Sequence, residues 1–222
     1  MPLRESIYTI PINDLFSEKC GCPLCRAAAI AEKRISDFIL GPAMMEPDIR
    51  METNRLGFCK EHLSFLANHK NRLSLALMLQ SRIKEINEEA NAKPKALNAK
   101  LGHCFICEKL EIAEKKNAES IVRTFSENRD FRELFSEAEG LCFPHYAALL
   151  SAADKAGGKA KKEFQKAALT LFKKKSDKIE SDIDGFCAMF DYRNNTEGND
   201  FGELKNAVEN ASSFLSADCK EF

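Results

Sequence analysis

Apolar residues recur along this chain at helical spacing. Residues 23–40 contain Arg26-Ala27-Ala28-Ala29-Ile30-Ala31-Glu32-Lys33, a run of strong helix formers that stops at Gly41-Pro42. Residues 43–58 read as a loop followed by a short helix closed by Gly57. Leu63, Leu66, Leu73, Leu77, Ile83 and Ile86 then hold an approximate helical period, which predicts one rod over residues 59–89. Residues 87–100 are polar, contain Pro94 and read as a linker. A helix over 104–125 and a shorter one over 131–138 follow, and Gly140 precedes a helix from 142 that fades at Gly157-Gly158. Phe164, Ala168, Leu171, Ile179, Ile183, Phe186 and Phe190 form the stripe of a long helix. After a loop over 194–200, Phe201, Leu204, Val208, Ala211 and Leu215 mark a last amphipathic helix. At the other end, residues 7–12 read as an extended arm, with Pro11 arguing against a central strand, and Asn13 or Asp14 caps a short turn to Lys19. No segment alternates like a strand, so the expected class is all-α.

Superimposed on this pattern is a repeat. Cys22-Pro23-Leu24-Cys25 is followed by Cys59-Lys60-Glu61-His62, and Cys104-Phe105-Ile106-Cys107 by Cys142-Phe143-Pro144-His145. The offsets are 104 − 22 = 82 and 142 − 59 = 83, and Leu56-Gly57-Phe58-Cys59 matches Glu139-Gly140-Leu141-Cys142. The same order at offsets one residue apart indicates an internal duplication. The expected organisation is a first helical repeat over 1–95 with its arm, a second over 96–195 packed on it, and a C-terminal helix over 196–222.

The residue types at these positions suit zinc. Three thiolates and one imidazole make a closed tetrahedral set, and each motif sits where a helix begins, so the positive helix end favours thiolate over thiol. The spacing predicts two Cys3His zinc ions, with Cys22, Cys25, Cys59 and His62 on the first and Cys104, Cys107, Cys142 and His145 on the second. Four protein ligands leave no open position, which is the mark of a structural site.

Composition narrows the class. The chain has 222 residues, 44% of them hydrophobic and 30% charged, with a net charge of −1, so it is not an obvious nucleic-acid or membrane binder. The start lacks the apolar core of an export signal, and no apolar run approaches a membrane span. The expected location is the cytoplasm, where nine cysteines are ligands or reactive thiols rather than cross-links. The lysines between 155 and 178 are interleaved with Glu163 and Asp177 and read as a solvated helix face.

Three other features carry potential chemistry. Cys20 is an extra thiol beside Cys22 and Cys25, either a reactive group or a spare cysteine. Glu46, Asp48, Arg50, Glu52 and Asn54 cluster between the ligands of the first copy, where the second copy has a plain amphipathic helix. Carboxylates so placed form either a ligand pocket or a solvated face. His69, seven residues after His62, is a candidate for a shell around the metal or a boundary residue.

Residues 7–13, Cys20-Gly21-Cys22-Pro23-Leu24-Cys25, the segment from Met44 to Asn54 with Gly57-Phe58-Cys59, Asn71-Arg72-Leu73, Cys142-Phe143-Pro144-His145 and Phe190-Asp191-Tyr192-Arg193 together resemble an uncharacterised family of anaerobic Gram-positive bacteria. The resemblance implies no activity. It makes Arg72 and the Asp191-Tyr192-Arg193 turn candidate partners of the 46–54 cluster. The first expectation is a non-enzymatic binding or adaptor module with an unknown protein or small-molecule partner. The alternatives are a small-molecule binder or enzyme using the polar cluster, a thiol redox or metal sensor through Cys20, Cys22 and Cys25, and nucleic-acid binding through the lysines, which the charge pattern disfavours.

Overall fold

The computed structural model describes residues 12–18, 21–156, 158–190 and 202–217. Every regular element among them is helical, as the periodicity predicts. Residues 7–11 of the arm expected over 7–12, Cys20, the Asp191-Tyr192-Arg193 turn and the 194–200 loop lie outside the described residues, and Ile12 begins α1. In chain order the helices are α1 (Ile12–Ser17), α2 (Pro23–Leu40), α3 (Pro47–Leu56), α4 (Lys60–Ala67), α5 (Arg72–Glu88), α6 (Pro94–Asn98), α7 (Phe105–Glu127), α8 (Arg129–Glu137), α9 (Phe143–Ala156), α10 (Gly158–Ala188) and α11 (Ala207–Ser216), with short 3-10 turns at Pro42–Met45 and Gly202–Asn206.

Two compact units result. The first is built on Ile30–Ala113, the second on Ile10–Ala29 together with Glu114–Phe222. This division differs from the contiguous copies expected from the sequence. The start of each copy, with its Cys-x-x-Cys, belongs to the unit built around the other copy's Cys-x-x-His.

In the first unit Ile35, Ile39 and Leu40 of α2 pack with Leu56 of α3, Leu66 of α4, Leu75 and Met78 of α5, and Phe105 and Ile106 of α7 in one buried cluster. The predicted rod over 59–89 is two helices. Asn71 ends the interruption between them: its side-chain oxygen accepts from Ser74 N–H at 3.3 Å, and its amide donates to the Leu40 carbonyl at 2.6 Å. An interruption shifts the helical phase. The buried face of α5 therefore carries Leu75 and Met78, while Leu73 of the expected stripe is 70% exposed and Ile83 57%. The short helix expected within 43–58 and closed by Gly57 is α3, and part of the loop expected before it is the Pro42–Met45 turn. Pro47 occupies the first turn of α3, where its missing N–H costs no hydrogen bond.

The second unit is held by aromatic side chains. Phe16 of α1 stacks on Phe135 of α8 at 5.3 Å and meets Phe131 edge-on at 5.2 Å, while Phe125 of α7 and Phe164 of α10 complete the group. A second row runs from Tyr146 of α9 to Phe172 of α10, at 4.3 Å, and on to Phe214 of α11, at 5.5 Å. That contact sets the rotation of α11: Ala207 and Phe214 are buried, whereas Val208 and Leu215 of the expected stripe are exposed.

Gly57 closes α3 with φ 65° and ψ −158°, donating its N–H to the Thr53 carbonyl. That backbone region is essentially restricted to glycine. Gly57→Ala is expected to cost about 1–3 kcal/mol, read as a lower midpoint in urea unfolding. A Phe135→Ala exchange in the second unit is expected to cost about 3–5 kcal/mol.

Candidate metal centres

All four motifs adopt one local geometry. Cys22, Cys59, Cys104 and Cys142 each stand directly before the first residue of α2, α4, α7 and α9. Their carbonyls accept the first helical hydrogen bonds, from Arg26 (3.3 Å), Leu63 (2.9 Å), Glu108 (3.0 Å) and Tyr146 (2.9 Å). The second ligand of each motif is then the third residue of its helix, on the same side as the capping cysteine. The His62 N–H points at the Cys59 sulfur at 3.5 Å, as an N-cap acceptor requires. The positive end of each helix thus faces a thiol and lowers the cost of ionising it.

The helix starts meet in pairs. In the second unit the ligand atoms of Cys22, Cys25, Cys142 and His145 lie within 4.8 Å of one another. His145 Nδ1 is 3.0 Å from Cys142 Sγ, 3.3 Å from Cys25 Sγ and 3.6 Å from Cys22 Sγ, and Cys25 and Cys142 are 3.6 Å apart. In the first unit Cys59, His62, Cys104 and Cys107 form the equivalent group. Nδ1 of His62 is 3.1 Å from Cys59 and 3.3 Å from both Cys104 and Cys107, with 3.9 Å between Cys59 and Cys107. A tetrahedron with zinc–sulfur bonds near 2.3 Å and a zinc–nitrogen bond near 2.0 Å has edges of about 3.5–3.8 Å. Both groups are close to that size.

The pairing corrects the expected one. Cys22 and Cys25 meet Cys142 and His145, not Cys59 and His62. Cys104 and Cys107 meet Cys59 and His62. Each cluster still contains three cysteines and one histidine, because the two copies contribute identical motifs. Backbone ties fix each junction. The Phe105 N–H donates to the Gly57 carbonyl at 2.9 Å in the first unit, and the Gly21 N–H to the Glu139 carboxylate at 2.6 Å in the second.

Two carboxylates complete the arrangement. His62 Nε2 is 3.0 Å from Glu32, and His145 Nε2 is 4.0 Å from Glu114. A carboxylate behind a ligating imidazole fixes its tautomer and orientation. Neither glutamate stood out in the sequence, yet the repeat marks both: 32 − 25 = 7 and 114 − 107 = 7.

The donor sets call for a cation. Burial alone would push His62 down, but the hydrogen bonds it donates to the Cys104 sulfur and the Glu32 carboxylate hold it up to about 10. Burial likewise opposes His145, and Cys142 and Cys22 hold it up to about 12. Burial would raise Cys104, but its bond to His62 brings it down to about 6. Burial together with the neighbouring Cys104 sulfur pushes Cys107 up to about 12. Cys22 lies well below its ordinary value despite its burial, through bonds from Cys142, Cys25 and His145.

The other sequence candidates do not converge on one place. Arg50 donates to the Leu77 carbonyl at 3.0 Å and to Ser81 at 2.7 Å, Ser81 donates to Asn54 at 3.1 Å, and Glu52 pairs with Lys109 at 2.8 Å. These contacts tie α3 to α5 and to the start of α7. Glu46, Asp48 and Arg72 are exposed. His69 accepts from Asn71 N–H and pairs with Asp37 at 2.8 Å, which places it at the interruption between α4 and α5. Phe164 and Phe172 on the lysine-rich helix lie in the aromatic packing of the second unit.

Crosswise pairing has a direct signature in metal content. Cys59→Ser combined with Cys104→Ser is expected to remove one metal per chain, since both residues serve one cluster; Cys59→Ser combined with Cys25→Ser is expected to remove both. Pairing within each copy would give the reverse counts. Glu32→Gln is expected to weaken metal binding in the first unit by about 10–100-fold, measured by chelator competition, with the second unit unchanged.

No curated protein and no solved structure matches the chain. One family model matches it twice, over residues 3–100 and 91–221, each match containing one Cys-x-x-Cys and one Cys-x-x-His. The two matches cover nearly the whole chain and agree with the duplication seen in the motif offsets and in the paired clusters: the chain belongs to a family of unknown function, DUF6062.

Proposed function

We propose that this chain is a zinc-stabilised helical binding or adaptor module of the cytoplasm. One observation carries the reading: two clusters of three cysteines and one histidine, each compact enough to enclose a single ion with four protein ligands. A closed ligand set holds structure and leaves no position for a substrate or an activated water. Cys3His donors with no carboxylate among them favour zinc over magnesium, calcium or manganese. Structural zinc contributes on the order of 10 kcal/mol to folding in small domains, which suits units with modest cores.

The side chains of α3 support a binding role over a catalytic one. Arg50, Glu52 and Asn54 are engaged in holding helices, and they do not line the cavity of the first unit. That cavity, about 330 Å³, is walled by Leu56, Phe58, Leu63, Met78, Ile86 and Leu101, with Arg82 and Lys100 among its polar neighbours. An apolar concavity with a few polar groups is the form a small-molecule or peptide partner requires. No helix of the described residues is long and apolar enough to cross a membrane.

Protein purified without added metal is expected to contain two zinc ions per chain. Stripping them with a chelator is expected to lower the thermal midpoint markedly, and restoring two equivalents of zinc to recover it. A well-folded chain containing no metal would overturn the reading.

A further inference from the structure

The two clusters share their ligand types but not their exposure. In the second unit Cys22, Cys25, Cys142 and His145 are all buried, none more than 5% exposed. In the first unit Cys104 and His62 are covered to a similar degree, at 5% and 7%. Cys59, however, is half-buried and Cys107 is exposed. The sulfurs of these two open residues are 3.9 Å apart. Cys59 also borders the cavity of the first unit, so a small solute reaches this cluster from that side.

We propose that Cys59 and Cys107 form a redox modification site at which a hydroperoxide converts the thiolate pair to a disulfide and releases the metal of the first unit. The proposal rests on the reading that both clusters hold metal. Oxidation of cysteine follows thiolate character and access. A bound metal holds the ligating cysteines of both clusters as thiolates, so access is what separates them. The sequence pointed to Cys20, Cys22 and Cys25 for redox chemistry. Cys22 and Cys25 are sealed in the second unit, and the accessible thiolates are in the first.

The step balances. The Cys107 thiolate attacks one peroxide oxygen; the O–O bond breaks, hydroxide leaves, and a sulfenic acid forms. The Cys59 thiolate then attacks the Cys107 sulfur. An S–S bond forms, the S–O bond breaks, and a second hydroxide leaves. Each thiolate has given up one electron, and the peroxide has taken two. The sulfurs close from 3.9 Å to about 2.05 Å. The metal retains Cys104 and His62 of its four ligands, too few to hold it against competition.

The test uses the full chain with its metal content measured beforehand. Hydrogen peroxide is added in the presence of a chromophoric chelator, and the peptides are mapped by mass spectrometry. One metal per chain is expected to leave at least about tenfold faster than the other, given the difference in thiolate access, together with a Cys59–Cys107 disulfide. Cys142→Ser is expected to keep only the fast phase and Cys59→Ser only the slow one. Mapping the disulfide on the unsubstituted chain decides the matter if either variant fails to fold. Two metals leaving at one rate, no release, or release without that disulfide would overturn this proposal alone. A chain with no metal before peroxide is added would overturn it together with the metal reading.

Discussion

The structure depends on bringing four helix N-termini together in pairs, each tipped with two soft donors. Such an arrangement is unfavourable without a cation. Helix ends already carry partial positive charge, and thiols left buried beside one another have few good hydrogen-bond partners. The raised His62 and His145 and the lowered Cys104 express that demand. A metal ion at each centre would answer it, with one ion for four ligands. The caps, the Gly57 turn and the carboxylates behind the imidazoles all keep those eight side chains aimed inward.

Around the clusters the two units solve the packing problem differently. The first relies mainly on aliphatic side chains from five helices around Phe105, with Arg50, Ser81 and Asn54 linking α3 to α5 at its edge. The second relies on phenylalanine rings meeting edge-on or stacked at 5.2–5.5 Å. A duplicated sequence has thus diverged in its cores while keeping its ligands. The divergence extends to the ligand environment, where all four residues of one cluster are buried while in the other Cys59 is half-buried and Cys107 exposed.

Much of this was legible in the chain. The all-α class, the limits of α2 at Gly41-Pro42, the end of α3 at Gly57 and the four motifs at helix starts follow from local rules of propensity, capping and spacing. The stripes of α5 and α11 were less legible. An interruption of a few residues before Asn71 rotates α5, and a single ring contact between Phe214 and Phe172 rotates α11. Periodicity records spacing along a helix, but the rotation that selects its buried face is set by what packs against it.

The ligand types and their number were fixed by the order of residues, because Cys-x-x-Cys and Cys-x-x-His put two donors on one side of a first helical turn whatever lies around them. The pairing of those motifs was not. Both copies have the same spacing and donors, so pairing within a copy and across copies are chemically equivalent and look alike in the chain. The helices break that degeneracy. The 18 residues of α2 span about 27 Å, with Cys22 and Cys25 at its start and Ile35, Ile39 and Leu40, near its end, packed with Leu56 and Leu66 in the first unit. Cys59 and His62 therefore come to rest with the start of the other copy. That outcome, and the unequal exposure of the two clusters that follows from different packing around each, arise only once the helices have lengths and neighbours in space.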